Sequence, residues 1–412
     1  MRILHTADWH LGRSLEQNSR LDEQSAVMDE LLLICRDQSI DLILVAGDVF
    51  DTYNPSAAAE QLFYEAIERL SDGGRRMIVV IAGNHDNPER LCAAAPLAWR
   101  HGIILLGNPA DDPSILLDHQ GPAAGRLVAA GPGFLKLIPG HSDEQASIVT
   151  LPFPSEARLQ AMVAPLQDEA LLQQDYSCRI GRLFAELSAG CFQPSSVNLA
   201  VSHLFTGGGW TSDSERTLQL GTGMMVLPEH LPSTAQYVAL GHLHRPQQVG
   251  GCSSPAWYAG SPLGYSFSEA NTVKSVCIVD VHPGLPADVR TISLSAGKPL
   301  RRWIARDGFG QALDWAREGR DSLCWIDLEV HMDQLPTAAE LRELHALNPG
   351  ILNIRPVLLS APADADPPGR REDRRIEELF ADYYRFRNGV AIPDAVLDAF
   401  LDLVNQPDEV DS

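Results

Sequence analysis

Histidine, aspartate and asparagine residues occur along the chain in five short groups whose residue types suit metal ligation. The groups are Asp8-Trp9-His10, Gly47-Asp48, Gly83-Asn84-His85-Asp86, His203 and Gly241-His242-Leu243-His244. Mixed carboxylate, imidazole and amide donors suit Mn²⁺, Fe²⁺ or Zn²⁺ better than Ca²⁺, which prefers oxygen ligands alone. Two cations about 3.5–4 Å apart need one shared anionic ligand and several further donors. The groups together supply that number of donors, and they predict a two-metal site.

The predicted chemistry is hydrolysis of a phosphate ester, because two cations lower the pKa of water to about 7 and neutralise the ester. His85 stands beside Asn84 and can face the substrate, where an imidazole can stabilise transition-state charge or protonate a leaving alkoxide. The candidate metal ligands are Asp8, His10, Asp48, Asn84, His203, His242 and His244. The other eight of the 13 histidines are interpreted as structural or surface residues: His5, His101, His119, His141, His230, His282, His331 and His345.

Each group follows a short apolar run that predicts a buried strand. Helical spacing of apolar residues predicts helices over residues 21–38, 88–100 and 155–192. The last of these is predicted to be an insertion. A further helix is predicted to begin with Asn54-Pro55 as its cap and first turn and to run to about residue 70. Residues 109–147 have the composition of loops with short strands. Alternating strands and helices indicate a layered α/β fold, in which sites form at the C-terminal ends of the strands.

The domain organisation follows from changes in composition. Residues 1–281 carry the five groups and are predicted to form the hydrolase domain, and residues 282–360 a small α+β capping domain. Residues 361–374 are a Pro- and Asp-rich linker. Residues 375–405 contain two amphipathic stretches, which either bind a partner or pack on their own domain.

The composition is that of a folded soluble protein, with 45% hydrophobic and 21% charged residues among 412. No apolar run approaches the roughly 18 residues of a membrane span, and Asp8 comes too early for a signal peptide, so we expect a cytoplasmic protein and no membrane partner. Seven cysteines without a close pair argue against disulfides and zinc–thiolate sites. The net charge of −22 does not by itself suggest nucleic acid, although bound metals or a partner can add positive charge.

The motifs in this order resemble those of the calcineurin-like metallophosphoesterase superfamily. The residues within the motifs are most similar to those of nuclease subunits that work with an SMC-like ATPase. This similarity lies in residues 2–12 (RILHTADWHLG), 45–52 (VAGDVFDT), 82–86 (AGNHD), 239–245 (ALGHLHR), 258–262 (YAGSP) and 267–269 (FSE). The matching motifs cover residues 1–270.

The resemblance implies two sheets flanked by helices, a small α+β capping domain and C-terminal helices. It implies two metal ions, most often Mn²⁺, one held by Asp8, His10, Asp48 and His244 and the other by Asp48, Asn84, His203 and His242. Asp48 would then bridge the ions, and His85 would be catalytic. The implied activities are double-strand exonuclease and hairpin or single-strand endonuclease, in DNA repair, recombination and replication. The implied partners are DNA and the SMC-like ATPase, with this chain as a homodimer within a heterotetramer.

Two other function classes stay open. A stand-alone phosphoesterase for nucleotides or phosphoproteins would share the metal site, and a non-catalytic scaffold would usually lack some of its ligands. The chain has no GxxxxGK[ST] motif, so any dependence on ATP must come from a partner. The arginines near the motifs are candidate DNA contacts: Arg13, Arg20, Arg216 and Arg245.

Overall fold

The structure is a computed structural model that describes residues 1–159, 169–215 and 224–359, with Phe380, Pro393, Val396 and Leu397. The predicted linker 361–374 and almost all of the predicted helical segment 375–405 lie outside these residues. The chain divides into two compact units, Met1–Val330 with Pro336–Arg355, and His331–Leu335 with Pro356–Ser412. Among the described residues, no helix combines the length and the apolar character that crossing a bilayer requires.

The regular elements alternate along most of the chain. The strands are β1 (Arg2–Thr6), β2 (Ser14–Leu15), β3 (Asn18–Ser19), β4 (Leu42–Ala46), β5 (Met77–Ile81), β6 (Ile103–Leu106), β7 (Arg126–Gly131), β8 (Phe134–Ile138), β9 (Ala146–Leu151), β10 (Val197–His203), β11 (Phe205–Thr206), β12 (Met225–Val226), β13 (Tyr237–Gly241), β14 (Gln247–Gln248), β15 (Ala256–Tyr258), β16 (Ser275–Asp280), β17 (Asp288–Ser293), β18 (Leu300–Ala305), β19 (Trp325–Met332) and β20 (Ile351–Leu358). The helices are α1 (Leu21–Asp37), α2 (Ala57–Ser71), α3 (Pro88–Cys92), α4 (Ala95–Trp99), α5 (Glu156–Leu159), α6 (Glu169–Cys191), α7 (Phe309–Arg317) and α8 (Ala338–Leu347).

Two large sheets form the centre of the first unit. The six-stranded sheet has the order β17-β16-β1-β4-β5-β6, and β1, β4, β5 and β6 run parallel. The seven-stranded sheet has the order β14-β15-β13-β10-β9-β8-β7, and β9, β10, β13 and β15 run parallel. A separate three-stranded sheet has the order β18-β19-β20. The predicted fold of two sheets with helices is confirmed.

The side chains of the central strands alternate between two apolar layers because successive residues of a strand point to opposite faces. Leu42 and Leu44 of β4 lie with Leu199 and Val201 of β10 in the layer between the two sheets. The intervening residues of β4 pack against α1 and α2. The outer face of the second sheet packs against α6, so the layers run helix, sheet, sheet, helix.

Buried His5 joins the two sheets inside that inner layer. Its Nε2 lies 3.2 Å from the Leu240 carbonyl oxygen and its Nδ1 lies 2.8 Å from the Tyr237 hydroxyl. Because a carbonyl only accepts, Nε2 carries the proton and Nδ1 accepts from Tyr237. Burial lowers the pKa of His5 to about 3, although the bond to Leu240 opposes this shift.

Several sequence predictions need correction. Helix α6 is a core layer of the sandwich and not an insertion. The short strands predicted within residues 109–147 are present as β7, β8 and the start of β9, and they belong to the second sheet. The predicted helix 88–100 is divided into α3 and α4, because Pro96 lacks an N–H and belongs in a first helical turn. The cap of α2 is Ser56, whose hydroxyl accepts from the Ala59 N–H at 3.3 Å, and not Asn54-Pro55.

The start of the small domain also differs from the prediction at residue 282. Strand β17 pairs with β16 and forms the edge of the first large sheet, so residues 288–293 extend the hydrolase sheet. The separate sheet begins with β18 at Leu300. The seven cysteines, all within the described ranges, are free, as the sequence predicts.

Candidate metal centre

All five predicted groups of ligands lie at the C-terminal ends of parallel strands. In the first sheet, β1 precedes Asp8 and His10, β4 precedes Asp48, and β5 precedes Asn84 and His85. In the second sheet, β10 ends at His203, and β13 precedes His242 and His244. The two sheets face each other, so these ends meet at one place.

The backbone at this place adopts conformations that L-residues rarely have. Four of the predicted ligands have positive φ angles, namely Asp8 at 53°, His10 at 45°, Asp48 at 50° and His242 at 111°. Such conformations cost about 1–3 kcal/mol each and persist where the surrounding structure imposes them. They turn each side chain back toward the end of its strand and into the site.

The glycines of the motifs are explained by close packing among the ligands. A Cβ on Gly83 would overlap with the Asp48 carboxylate, and a Cβ on Gly47 would overlap with the His203 ring. A Cβ on Gly241 would overlap with the main-chain oxygen of Ala46. The motifs therefore need glycine before the ligand because a ligand side chain, or in the case of Gly241 the main chain of β4, occupies the space of a Cβ.

His10, His244 and Asp8 form one side of the site. The Nε2 atoms of His10 and His244 are 2.9 Å apart. One ligand atom from each of the three residues lies within 4.8 Å of the others. The Asp8 carboxylate accepts from the backbone N–H of His242 at 2.9 Å, which fixes the carboxylate between the two sheets.

His203, Asn84 and His242 form the other side. The Asn84 Oδ1 atom lies 2.9 Å from His203 Nε2 and 3.0 Å from His242 Nδ1. His203 Nδ1 lies 2.9 Å from the Ala46 carbonyl oxygen and must donate to it. The Nε2 of neutral His203 therefore has no proton and presents its lone pair to the Asn84 oxygen.

Asp48 lies between the two sides. Its Oδ1 accepts from the backbone N–H of His85 at 2.9 Å. Its Oδ2 lies 3.6 Å from His10 Nε2 and 3.5 Å from His203 Nε2. These spacings are close to the distance of roughly 3–3.5 Å that separates two ligands of one cation when each bond is about 2.0–2.1 Å long. The donors therefore fit divalent cations, because unprotonated nitrogens and carboxylate oxygens face each other at short range.

Burial opposes protonation of three imidazoles of the site. It lowers the pKa of His242 to about 3 and holds the pKa values of His203 and His244 below the ordinary value. Metal ions bind neutral imidazole, so these histidines are already in the form that can act as ligands near neutral pH.

The two carboxylates shift in opposite directions. Burial, reinforced by the nearby charge of Asp48, raises the pKa of Asp8 well above its ordinary value. Burial acts in the same direction on Asp48, but it is outweighed by the positive charge that His203, His10 and His85 carry when protonated, together with the hydrogen bond from the His85 backbone N–H, so the pKa of Asp48 lies below its ordinary value. Two buried carboxylates in one site call for positive charge beside them.

Comparison with known proteins agrees with this geometry. The calcineurin-like phosphoesterase family matches residues 1–142. A protein of Bacillus subtilis strain 168, named as the SbcD component of the SbcCD nuclease, is 44% identical over 415 aligned residues, which cover 100% of each chain. The chain belongs to the SbcD family. Proteins with the same name from Rhodobacter capsulatus (34% identity, 74% of this chain and 72% of that one) and Escherichia coli K12 (30%, 81% and 79%) are also similar. As a member of this family, the chain is a metal-dependent hydrolase of phosphoester bonds.

In this SbcD family member, a buried chain of polar groups orients His244, and none of its members was predicted. Ser214 Oγ lies 2.6 Å from His244 Nδ1 and donates to Glu269 at 2.7 Å, so His244 Nδ1 must be the donor to Ser214. Buried Lys274 forms an ion pair with Glu269 and donates to the His244 main-chain oxygen at 2.8 Å. Glu215 accepts from the His244 backbone N–H at 2.8 Å. Together these bonds place the unprotonated Nε2 of His244 toward His10.

Asp51 and Asp86 also went unassigned although they lie within the sequence motifs. Asp51 uses its main-chain oxygen to accept from His85 Nδ1 at 2.7 Å. Asp86 accepts from the backbone N–H groups of Gly83, Val49 and Phe50 at 2.8, 3.1 and 2.9 Å. It thereby ties the loop after β5 to the loop after β4.

The four arginines near the motifs differ in their surroundings. Arg20 is 1% exposed and forms an ion pair with Glu23, so burial removes it from the candidate DNA contacts. Arg13 is held by a carboxylate and a main-chain oxygen. Arg245 is exposed, and Arg216 lies outside the described residues.

Proposed function

We propose that the chain is a Mn²⁺-dependent DNA phosphodiesterase and the nuclease component of a complex with an SbcC-type, SMC-like ATPase. The observation that carries the proposal is the convergence of the predicted ligands of both sheets around the Asp48 carboxylate. The full-length similarity to a protein named as a component of the SbcCD nuclease supports DNA as the substrate.

In the proposed site, Asp48 is shared between the two cations. The first cation would be held by Asp8, His10, Asp48 and His244, and the second by Asp48, Asn84, His203 and His242. When bound, the cations neutralise charge on the phosphodiester and lower the pKa of water so that hydrolysis can proceed near neutral pH. The protein holds its donors in place before binding, because the strand ends, glycines and buried hydrogen bonds fix them.

His85 is proposed as the residue that assists departure of the sugar oxygen. Its Nδ1 donates to the Asp51 carbonyl, so the ring orientation is fixed and Nε2 is the nitrogen that can exchange a proton with substrate. His85 Nε2 lies 3.9 Å from Asp48 Oδ2, next to the proposed cations. The ring also lines a polar cleft of about 480 Å³, together with residues from 12–14, 51–52 and 213–215. That cleft is where we place the scissile phosphate.

The remaining parts of the chain receive roles in the assembly. We propose the small sheet β18-β19-β20, with α7 and α8, as the capping domain and residues 375–405 as the segment that binds the ATPase, with residues 361–374 as the linker. We also propose a homodimer of this chain within a heterotetramer, acting on duplex ends and on hairpin or single-stranded DNA. DNA repair, recombination and replication are the processes in which such an activity would serve.

The test is a cleavage assay on hairpin DNA, duplex DNA and bis(4-nitrophenyl) phosphate with Mn²⁺. The chain is assayed alone and with its ATPase, beside His85→Ala. We expect metal-dependent cleavage of DNA, and we expect His85→Ala to lower kcat about 10²–10⁴-fold while Mn²⁺ still binds. Turnover of the small ester without cleavage of any DNA would instead support a stand-alone phosphoesterase for small substrates.

A further inference from the structure

An exposed tryptophan lies beside the metal centre. Trp210 is 70% exposed, whereas the other six tryptophans, all of them in described residues, are buried or half-buried. An exposed indole offers a flat face on which a planar ligand group can stack.

Hydrogen bonds and close packing hold the backbone of the loop at Trp210 in place. The side-chain amide of Gln247 accepts from the Trp210 backbone N–H at 2.8 Å and donates to its carbonyl oxygen at 2.9 Å. A Cβ on Gly209 would overlap with Leu243, so the chain at this point lies directly against the segment between His242 and His244. Farther along the same loop, Ser214 bonds to His244.

A cation accompanies the ring. The Arg245 guanidinium lies 5.5 Å from the centre of the Trp210 ring, and Arg245 is the residue after His244. Three residues beyond Trp210, Asp213 lines the cleft that also contains His85. Trp210 and Arg245 therefore belong to the two segments that also carry Asp213 of the cleft and His244 of the metal centre, so a nucleotide whose phosphate lies at that centre passes close to them.

We infer that Trp210 and Arg245 form a stacking subsite for an unpaired nucleobase of DNA next to the scissile phosphate. The inference rests on the proposed function, since it takes DNA as the substrate. A flat base covers an exposed indole, and a guanidinium beside it attracts the adjoining phosphate. A base inside a duplex is already stacked on both faces, so the subsite accepts a base that is unpaired or at a frayed end. The enzyme therefore favours cleavage where at least one nucleotide is unpaired.

The test compares single-stranded DNA with the same oligonucleotide carrying abasic residues around the cleavage position, using the full-length chain and Mn²⁺. Trp210→Ala should raise KM on the base-containing oligonucleotide about tenfold, equivalent to about 1.4 kcal/mol, with kcat changed less than twofold. On the abasic oligonucleotide, Trp210→Ala and the wild type should have the same KM. Trp210→Phe should recover most of the loss. The control is Leu323→Ala, which truncates another exposed apolar side chain and should leave KM unchanged on both oligonucleotides.

An unchanged KM for Trp210→Ala, or an equal increase on both oligonucleotides, would overturn the inference and leave the nuclease proposal intact. Binding without cleavage, measured by quenching of tryptophan fluorescence in Ca²⁺, separates the remaining cases. If the wild type cuts no DNA but its binding still depends on both Trp210 and the bases, the subsite stands and the nuclease proposal fails. If no oligonucleotide binds, the subsite is refuted.

Discussion

Ser214 is the residue whose replacement should separate metal binding from folding. Its hydroxyl accepts from His244 at 2.6 Å and donates to Glu269 at 2.7 Å, and the residue is 3% exposed. Ser214→Ala leaves the Nδ1–H of His244 without this partner, so the ring can rotate or change tautomer. A buried group that loses its partner costs about 1–3 kcal/mol. Loss of a group that orients a metal ligand typically lowers metal affinity about 10–100-fold, which corresponds to about 1.4–2.8 kcal/mol.

The assay is calorimetric titration of the metal-free protein with Mn²⁺ at one fixed pH, with urea unfolding as a second measurement. We expect Ser214→Ala to raise the Kd for Mn²⁺ about 10–100-fold and to lower the free energy of unfolding by no more than about 3 kcal/mol. Glu269→Gln should weaken Mn²⁺ binding as well, and it should destabilise the fold more because it leaves the buried Lys274 without its ion pair.

The control for this experiment is Asp327→Asn. Asp327 is also 3% exposed, and it forms an ion pair with Arg355 at 2.7 Å in the small sheet. We expect this variant to lose stability without any change in Mn²⁺ affinity. If Ser214→Ala bound Mn²⁺ as tightly as the wild type, or if Asp327→Asn weakened binding equally, the reasoning that Ser214 orients His244 would be refuted.

Three further predictions concern the shared ligand, the packed glycine and the buried histidine. Asp48→Ala should abolish binding of both cations, as measured by elemental analysis. It should also remove the stabilisation of roughly 2.7 kcal/mol that metal at 100 times its Kd gives the wild type. Retention of one tightly bound ion would contradict the shared role of Asp48. Gly83→Ala should lower activity at least tenfold because its Cβ overlaps with the Asp48 carboxylate, whereas Gly310→Ala in α7, where a Cβ meets nothing within 4 Å, should leave kcat unchanged. Because the pKa of His5 falls from 6.5 to about 3 on folding, only the unfolded chain takes up this proton below pH 6.5, so stability falls as the pH falls. The contribution of His5 to the loss at pH 5 should be about 2 kcal/mol relative to pH 7.5, so in urea unfolding of the metal-free protein His5→Gln should lose that much less stability than the wild type between these two pH values.

The strands that deliver the ligands could be predicted from sequence because both of their faces are buried. Such strands are continuous apolar runs, as in residues 42–46 and 77–81, and the ligand groups follow them directly. Strands β7 and β8 differ, since one face of each is partly exposed and the surrounding segment is rich in glycine and proline. The sequence therefore predicts short strands in this segment, but it predicts neither their bounds nor their place in the second sheet.

The residues that orient the ligands do not occur at a characteristic spacing in the sequence. Ser214, Glu269 and Lys274 are common residue types, and they reach His244 only through the tertiary fold. The one sequence feature that could indicate them is their place within or beside the motifs. Glu269 is the last residue of the FSE motif, and Ser214 lies in the segment after His203. Pattern alone gives them no role, since a serine or glutamate near a motif usually contacts solvent.

The contribution of ligands by both sheets has a consequence for biosynthesis. The first residues of the site emerge at position 8 and the last at position 244, and neither sheet alone supplies a complete set of ligands for either proposed ion. On the proposed ligand sets, a nascent or half-folded chain would lack a complete site for either ion. The proposed nuclease would then become active only when the second sheet has docked on the first, which would delay a hazardous activity until the protein is folded.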